Sequence, residues 1–394
     1  MKVVDWLVVG GGITGSALAY ELACQGLSVV VVERHGELQG GTRFGYGGVA
    51  YWAGTTALTR QLCAEGIARL RGLSAELGGD IQLRELNLVL TVPTDVDPAT
   101  IALNYSHFAI APQLVDVKTA CEVEPFLNPL AISGALVVAH GHLHLGATIA
   151  AYRQAFGQRG GQTHQGEVTQ LLRDRDRPHR ITGVRCGAET YQAGNVVICA
   201  GALSRALLKM SGIAVPLYFT HAELIETPPV DITLRSLVMP AVTQRFELEA
   251  AASQAKIDPV WDEPGHEPHP PILDVGAVQF LDGSLRMGQV SRTLTDPQAP
   301  IDATLSERAI REQVGAVLPA LKELPGIWQR CLVSFSRDRL PLVGAIPDLE
   351  GIYLFSGFSN PLAITTPLAR RFAQSAIGQP DDVLAQVAVT RFHT

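Results

Sequence analysis

Three glycines near the N-terminus limit this chain more than any other feature. Trp6 to Val9 reads as a short buried strand, and Gly10, Gly12 and Gly15 follow it as G-x-G-x-x-G. Thr14 to Cys24 then has helical spacing, with Leu18, Ala19 and Leu22 on one side, and Gly26 ends it. Leu27 to Val32 is a second aliphatic strand, closed by Glu33. Gly10 permits the tight turn, Gly12 lets a pyrophosphate approach the backbone, and Gly15 lets helix and strand pack closely. The helix N-terminus stabilises phosphate charge. Glu33 lies 18 residues past Gly15, where a carboxylate can accept hydrogen bonds from ribose hydroxyls. The acid disfavours a 2′-phosphate, so FAD or NAD remains and NADP does not.

At 394 residues the chain exceeds one ordinary core, and two domains are expected. It is 47% hydrophobic and 18% charged, which suits a well-buried enzyme rather than a disordered segment. The net charge is -7 with no basic stripe, so nucleic acid is not an expected partner. The six cysteines are scattered without a CxxC pair and read as reduced thiols of a cytoplasmic protein. No apolar run is long enough for a membrane span, and no secretory leader is expected.

Along the chain, 55–78 reads as a helix, 81–92 and 131–139 as strands, and 146–157 as a helix. Strands at 164–172, 180–186 and 189–193 are followed by a separate buried strand at 196–199 that ends at Ala200-Gly201. Residues 213–290 read mostly as strands with proline-rich breaks, and 259–271 as a loop or lid. A helix is expected at 305–318, a strand at 352–355, and a last helix at about 366–377. The acids of 116–124 read as a solvated helix face. Nucleotide-type units that open and close the chain around β-rich stretches imply a discontinuous α/β domain with an inserted second one.

Three stretches carry a resemblance: VVGGGITGSALAYELACQGLSVVVVE at 8–33, NVVICAGALS at 195–204, and SRDRLPLVGAIPDLEGIYLFSGFSNPLAITTPLARRFA at 336–373. Together they resemble the D-amino-acid oxidase superfamily, in its glycine oxidase and sarcosine oxidase branch. The resemblance implies FAD and a discontinuous Rossmann-like domain of the glutathione-reductase type, formed by 1–79, 145–215 and 331–394. It implies a mixed-sheet substrate domain from 80–144 and 216–330. It also implies an oxidase or dehydrogenase for a small amine or amino acid, with hydride passing to flavin N5, an imine as product, and oxygen or a quinone as acceptor. The third stretch also resembles the flavin domain of bifunctional tRNA-modifying enzymes, so oxidation of a glycine-type adduct on a larger substrate is an alternative. A flavin-binding protein without amine turnover is another.

The resemblance places cofactor contacts at Gly10, Gly12, Ile13, Thr14, Gly15, Glu33, Arg34, Thr42, Arg43, Gly47 and Gly48, then at Val168, Ala200, Gly201, Cys331 and Arg337. It places more in the closing loop at Gly357, Phe358, Ser359, Asn360, Pro361 and Leu362. Five glycines between 40 and 48 would allow the backbone close to the cofactor, with Arg43 the side chain expected to touch it. Cys331 stands where monomeric sarcosine oxidases link a cysteine to the flavin 8α position; a buried small apolar residue is the other reading. Catalytic candidates are Arg286, Tyr46 and His221. Glycine oxidases carry a carboxylate-clamping arginine where this chain has Val333, so either Arg330, Arg337, Arg339, Arg292 or His221 takes that role or the substrate lacks a carboxylate at that spot. His140, His142 and His144 alternate as one strand face would, yet fall at an expected polar turn between domains, and no metal site is assigned to them.

Overall fold

The computed structural model describes residues 3–359 and 361–392. The opening strand, Val4–Val9, lies between Val29–Glu33 and Glu189–Ile198, parallel to both. Gln162–Gln165 extends this sheet beyond Val29–Glu33, and Ile352–Ser356 extends it beyond Glu189–Ile198, again in parallel. Leu342–Ala345 closes one edge antiparallel. Successive strand residues divide between the two faces. Trp6, Val8, Val29 and Val31 join one apolar cluster, and Leu7, Val9, Val30 and Val32 join the other. A sheet covered on both faces needs apolar residues at every strand position, which explains the unbroken aliphatic runs.

The first of these clusters is covered by helices Ile13–Cys24, Ala57–Leu77, Leu145–Gln158 and Pro361–Ala376. The last helix starts five residues before the expected 366, because Pro361 needs no N–H partner at a first helical position. The strands expected at 189–193 and 196–199 are one. Its first half pairs antiparallel with Ile181–Cys186 and its second half pairs parallel with Val4–Val9, so a single strand joins meander and core.

The second sheet runs in the order Ile327–Ser336, Leu217–Glu226, Leu285–Arg292, Ile272–Gln279, Leu237–Pro240, Arg84–Pro93, Ile132–His142 and Gly48–Val49. The pairing of Leu237–Pro240 with Arg84–Pro93 is parallel and its other ladders are antiparallel, so the sheet is mixed. Ile327–Ser336 belongs wholly to this sheet, and the chain returns to the first sheet only after Ser336 rather than at 331. The fold is therefore a discontinuous Rossmann-like domain joined to a mixed-sheet substrate domain.

Three further expectations are corrected. The 213–290 region contains a helix, Gln244–Ala252, whose first two amides donate to the Asp274 carboxylate. The proline-rich segment starts as a 3-10 turn, Asp258–Asp262, with Trp261 buried against Tyr218, Phe219 and Phe335. That aromatic burial makes its first part a packed element rather than a lid. Glu124 is buried, not solvated, and its carboxylate accepts from the Arg235 and Ser236 amides and the Ser236 hydroxyl. Among the described residues no helix is long and apolar enough to cross a membrane, and all six cysteines are free thiols.

Candidate active site

The turn after the opening strand is built as a cradle. Gly10 adopts φ +105, and a Cβ there would come within 2.6 Å of the Cys199 carbonyl oxygen. A Cβ on Gly15 would come within 1.9 Å of the Gly10 carbonyl oxygen. These two contacts bring strand, helix and the Cys199-Ala200 strand end to one point, and Gly201 follows at φ +53. Gly12 caps the helix without a side-chain cap, and the first turn carries no acid, so its partial positive charge is free for an anion. The Thr42 hydroxyl accepts from the Ile13 amide at 3.2 Å, which sets the 40–48 loop against the helix start. Glu33 accepts from the Gly11 amide at 2.6 Å through Oε2 and from the His35 amide at 3.0 Å through Oε1. Arg34 points instead toward Glu167, 3.9 Å away, and Val168 packs its half-buried side chain under the first sheet beside that acid.

The loop then crosses to the second sheet. Gly41 lies so close to the Leu332 carbonyl that a Cβ would reach within 2.9 Å of it. At Gly47, φ +73, a Cβ would stand 2.2 Å from the Leu143 carbonyl oxygen, and at Gly48, 2.8 Å from His140 Nε2. Between these glycines the loop delivers Arg43 and Tyr46. Arg43 donates two parallel hydrogen bonds to Glu226, at 2.7 and 2.8 Å. Arg286 donates to the same carboxylate at 2.9 and 3.2 Å and to the Gly45 carbonyl. Burial pushes the Glu226 carboxyl upward, but its hydrogen bonds from Arg43 and Arg286 outweigh this and hold it below the usual carboxylate range. Two cations share one anion, so the cluster keeps one net positive charge.

Tyr46 is half-buried, but its hydroxyl is buried close to Gly288 and has no hydrogen-bond partner among the described residues. Burial pushes that phenol well above its ordinary value. Cys331 faces the same side of the sheet, opposite Ala222 on the neighbouring strand, and burial pushes its thiol up to about 12. The last loop completes the surface. Gly357 sits at φ +81, Phe358 is buried against Phe355, and Leu362 is buried in the last helix. Ser359 donates its hydroxyl to the Arg339 carbonyl at 3.0 Å. Asn360 lies outside the described residues, and Pro361 is the first residue of the last helix.

The structure thus brings together Gly10, Gly12, Gly15, Glu33, Thr42 and Ala200 at one end, and Arg43, Tyr46, Arg286 and Cys331 at the other. It sets two residues apart. The strand Leu217–Glu226 alternates without interruption against its neighbour, so His221 projects from the face opposite Glu226. There its Nε2 lies 3.1 Å from the Asp296 carbonyl, away from Tyr46 and Arg286. Arg337 donates to the Ser253 carbonyl and covers the Phe392 ring. The other arginines considered for a carboxylate are also engaged: Arg330 with the Ala299 carbonyl, Arg292 with Glu223, and Arg339 over the Phe246 ring. His140 and His142 are buried: His140 accepts from the Trp52 indole, and His142 lies beside Arg84. His144 caps the helix Leu145–Gln158.

Glu226 escaped the sequence reading. Its signal was an acid at the end of the mostly apolar strand LYFTHAELIE, where a half-buried carboxylate calls for a cation.

A phosphate cradle, a carboxylate at the second strand end, and a cationic cluster beneath a mixed sheet define a flavin-dependent oxidoreductase. The chain belongs to the FAD dependent oxidoreductase (DAO) family, whose model matches residues 5–375. FAD is its cofactor. The fit rests on the Gly10–Gly15 cradle and on the helix start that carries no acid.

Among curated relatives, the mitochondrial pyruvate dehydrogenase phosphatase regulatory subunit of Mus musculus is 23% identical over 362 residues, covering 90% of this chain and 39% of that protein. Glycine oxidase of Pseudomonas aeruginosa is 25% identical over 392 residues, covering 95% and 94%. The chain therefore spans less than half of the first relative and nearly all of the second. Among solved structures, glycine oxidase from Geobacillus kaustophilus superposes with a TM-score of 0.80 at 18% identity, over 99% of both chains.

Proposed function

We propose that this protein oxidises a small amine or amino acid of the glycine, sarcosine or D-amino-acid type to the corresponding imine. Bound FAD supplies the two-electron acceptor for the substrate's α-C–H hydride. The chain's own contribution is alignment, dryness and charge. Gly10, Gly12, Gly15, Glu33 and Thr42 would hold the nucleotide end. Ala200 and Gly201 would border that same end, and Gly357 to Ser359 would enclose the flavin end.

Tyr46 and Arg286 are the side chains proposed to act on the reacting pair. The Tyr46 hydroxyl is a buried group without a partner among the described residues, and burial of such a group is costly unless a ligand satisfies it. Arg286 holds its charge because Glu226 pairs with it, and the surplus cation from Arg43 favours negative charge developing nearby. The observation that carries this reading is that shared carboxylate: it fixes two guanidinium groups between the cofactor loop and the substrate sheet.

The test is anaerobic reduction of the yellow protein by a panel of glycine, sarcosine, proline and D-amino acids. Bleaching of the 450 nm band by at least one compound is the expected result. A flavin that stays oxidised with every compound overturns the reading.

A further inference from the structure

The helices behind the phosphate cradle hold a charged cluster that the flavin chemistry does not use. Glu21 lies on the cradle helix Ile13–Cys24, about two turns past its start, and is 3% exposed. Arg69, on Ala57–Leu77, donates to it through Nη2 and donates with the same Nη2 to Glu76 at 2.8 Å. The Tyr20 hydroxyl also donates to Glu76, at 3.1 Å. Two carboxylates therefore share one guanidinium nitrogen, while Arg69 Nε has no partner among the described residues. The Glu76 side chain is 38% exposed, so water supports its charge. Glu21 has no such support.

The neighbouring helices each bring a group to this carboxylate. Ala57–Leu77 brings Arg69 and Glu76, and the last helix, Pro361–Ala376, brings Arg370, an exposed cation. Leu145–Gln158 brings the buried Tyr152 phenol, whose hydroxyl has no partner among the described residues. Its own helix adds Tyr20 and Cys24, with Arg159 over the Tyr20 ring at 5.4 Å. With both acids ionised, the shared guanidinium leaves one negative charge over, and one proton removes it. Burial raises the Glu21 carboxyl to about 7 against the pull of Arg69. These helices also border the cofactor. Ile13–Cys24 starts at the cradle, and Pro361–Ala376 starts just after the 357–359 loop. One turn before Arg69, Gly66 presses on the first turn of Pro361–Ala376: a Cβ there would come within 1.8 Å of the Ala363 carbonyl oxygen. The Glu21–Arg69 pair thus joins the helix that starts at the cradle to one locked against the helix that follows the flavin loop.

We propose that Glu21 is a proton switch that sets how tightly the protein retains FAD. Protonated Glu21 keeps a neutral hydrogen bond to Arg69 and lets the helices close. Ionised Glu21 needs water, and drawing water into this layer loosens the helix that carries the cradle. FAD closes the layer and so favours the protonated acid; by reciprocity the proton favours FAD. FAD retention is therefore strongest on the acid side of neutrality and weakens toward alkaline pH. This stands apart from the amine-oxidising reading and does not depend on which substrate the flavin oxidises.

The test uses the FAD-loaded protein, diluted at pH values from 5 to 8, with released FAD read by its fluorescence. The wild-type dissociation constant should rise several-fold between pH 6 and pH 8, with about tenfold the ceiling for one proton leaving a group that titrates near 7. Glu21→Gln fixes the neutral form and should keep the tight pH 6 value throughout. Glu76→Gln leaves Arg69 to Glu21 alone, which steadies the ionised form, so the midpoint should move to lower pH. A wild type with the same constant from pH 6 to pH 8 overturns the proposal. So does a pH dependence that survives in Glu21→Gln, since another group then carries it. If Glu21→Gln does not fold, Glu76→Gln decides: a midpoint that stays at or above the wild-type value overturns the proposal. A general loss of packing would weaken FAD alike at every pH, so it cannot imitate a flattened profile or a moved midpoint.

Discussion

Glu226 and Arg286 stand opposite each other on adjacent antiparallel strands, with Nη2 2.9 Å from Oε1. Arg43 reaches the same carboxylate from a loop in the other domain's half of the chain. One side chain thereby ties the cofactor cradle to the substrate sheet. Because Arg286 is itself buried, removing the carboxylate would leave two guanidinium groups without their anion.

Glu226→Ala is therefore expected to cost about 2–4 kcal/mol of stability, in the range for breaking a largely buried pair. Urea unfolding of the FAD-loaded protein measures this. A loss under about 0.5 kcal/mol, the scale of an ordinary surface change, would show that the triad carries no such load.

Gly15→Ala should abolish FAD retention. The added Cβ would fall 1.9 Å from the Gly10 carbonyl oxygen, so helix and strand must separate and the cradle opens. The ratio of absorbance at 450 nm to that at 280 nm in the purified variant reports the outcome. A fully yellow protein would disprove the packing argument.

Acid precipitation is expected to give a colourless pellet and a yellow supernatant. Burial keeps the Cys331 thiol protonated, pushed up to about 12, and the thiolate is the reactive form. A pellet that stays yellow after washing would mean that Cys331 holds the flavin covalently in spite of its burial.

His221 should make the protein acid-sensitive. Burial, helped by the charge of Arg330, holds its pKa down from 6.5 to about 4. Between those values the unfolded chain takes up a proton that the folded one refuses. Its contribution to stability is thus fully present above pH 6.5 and falls away as pH drops toward 4. Between pH 7 and pH 5 the wild type should lose about 2 kcal/mol more than His221→Gln, from about 1.4 kcal/mol per pH unit below 6.5. Parallel pH profiles for the two proteins would contradict the assigned burial.

How much the sequence showed depends on how local each feature is. The first strand, its glycines, the helix and Glu33 follow one another within 33 residues, and each is forced by backbone geometry. The α/β class and a dinucleotide cradle were legible for that reason, while the choice of FAD over NAD and the mixed-sheet second domain came from the resemblance of three separate stretches to a family. The helix Gln244–Ala252 was not, because it is short and lies among strands whose composition dominates the window. Glu124 looked solvated because nothing in its neighbourhood in sequence announces the amides of Arg235 and Ser236 that hold it.

The sequence by itself determined the cradle, since only glycine accepts Gly10's φ of +105 and leaves room for the contact at Gly15. Tertiary structure alone decided which charges meet. Arg43 and Glu226 are 183 residues apart, and only strand register brings Arg286 opposite the same acid. The same register turns His221 to the opposite face of the sheet. Partner choice among distant charges is set by sheet pairing and burial, and neither is written in any short stretch of residues.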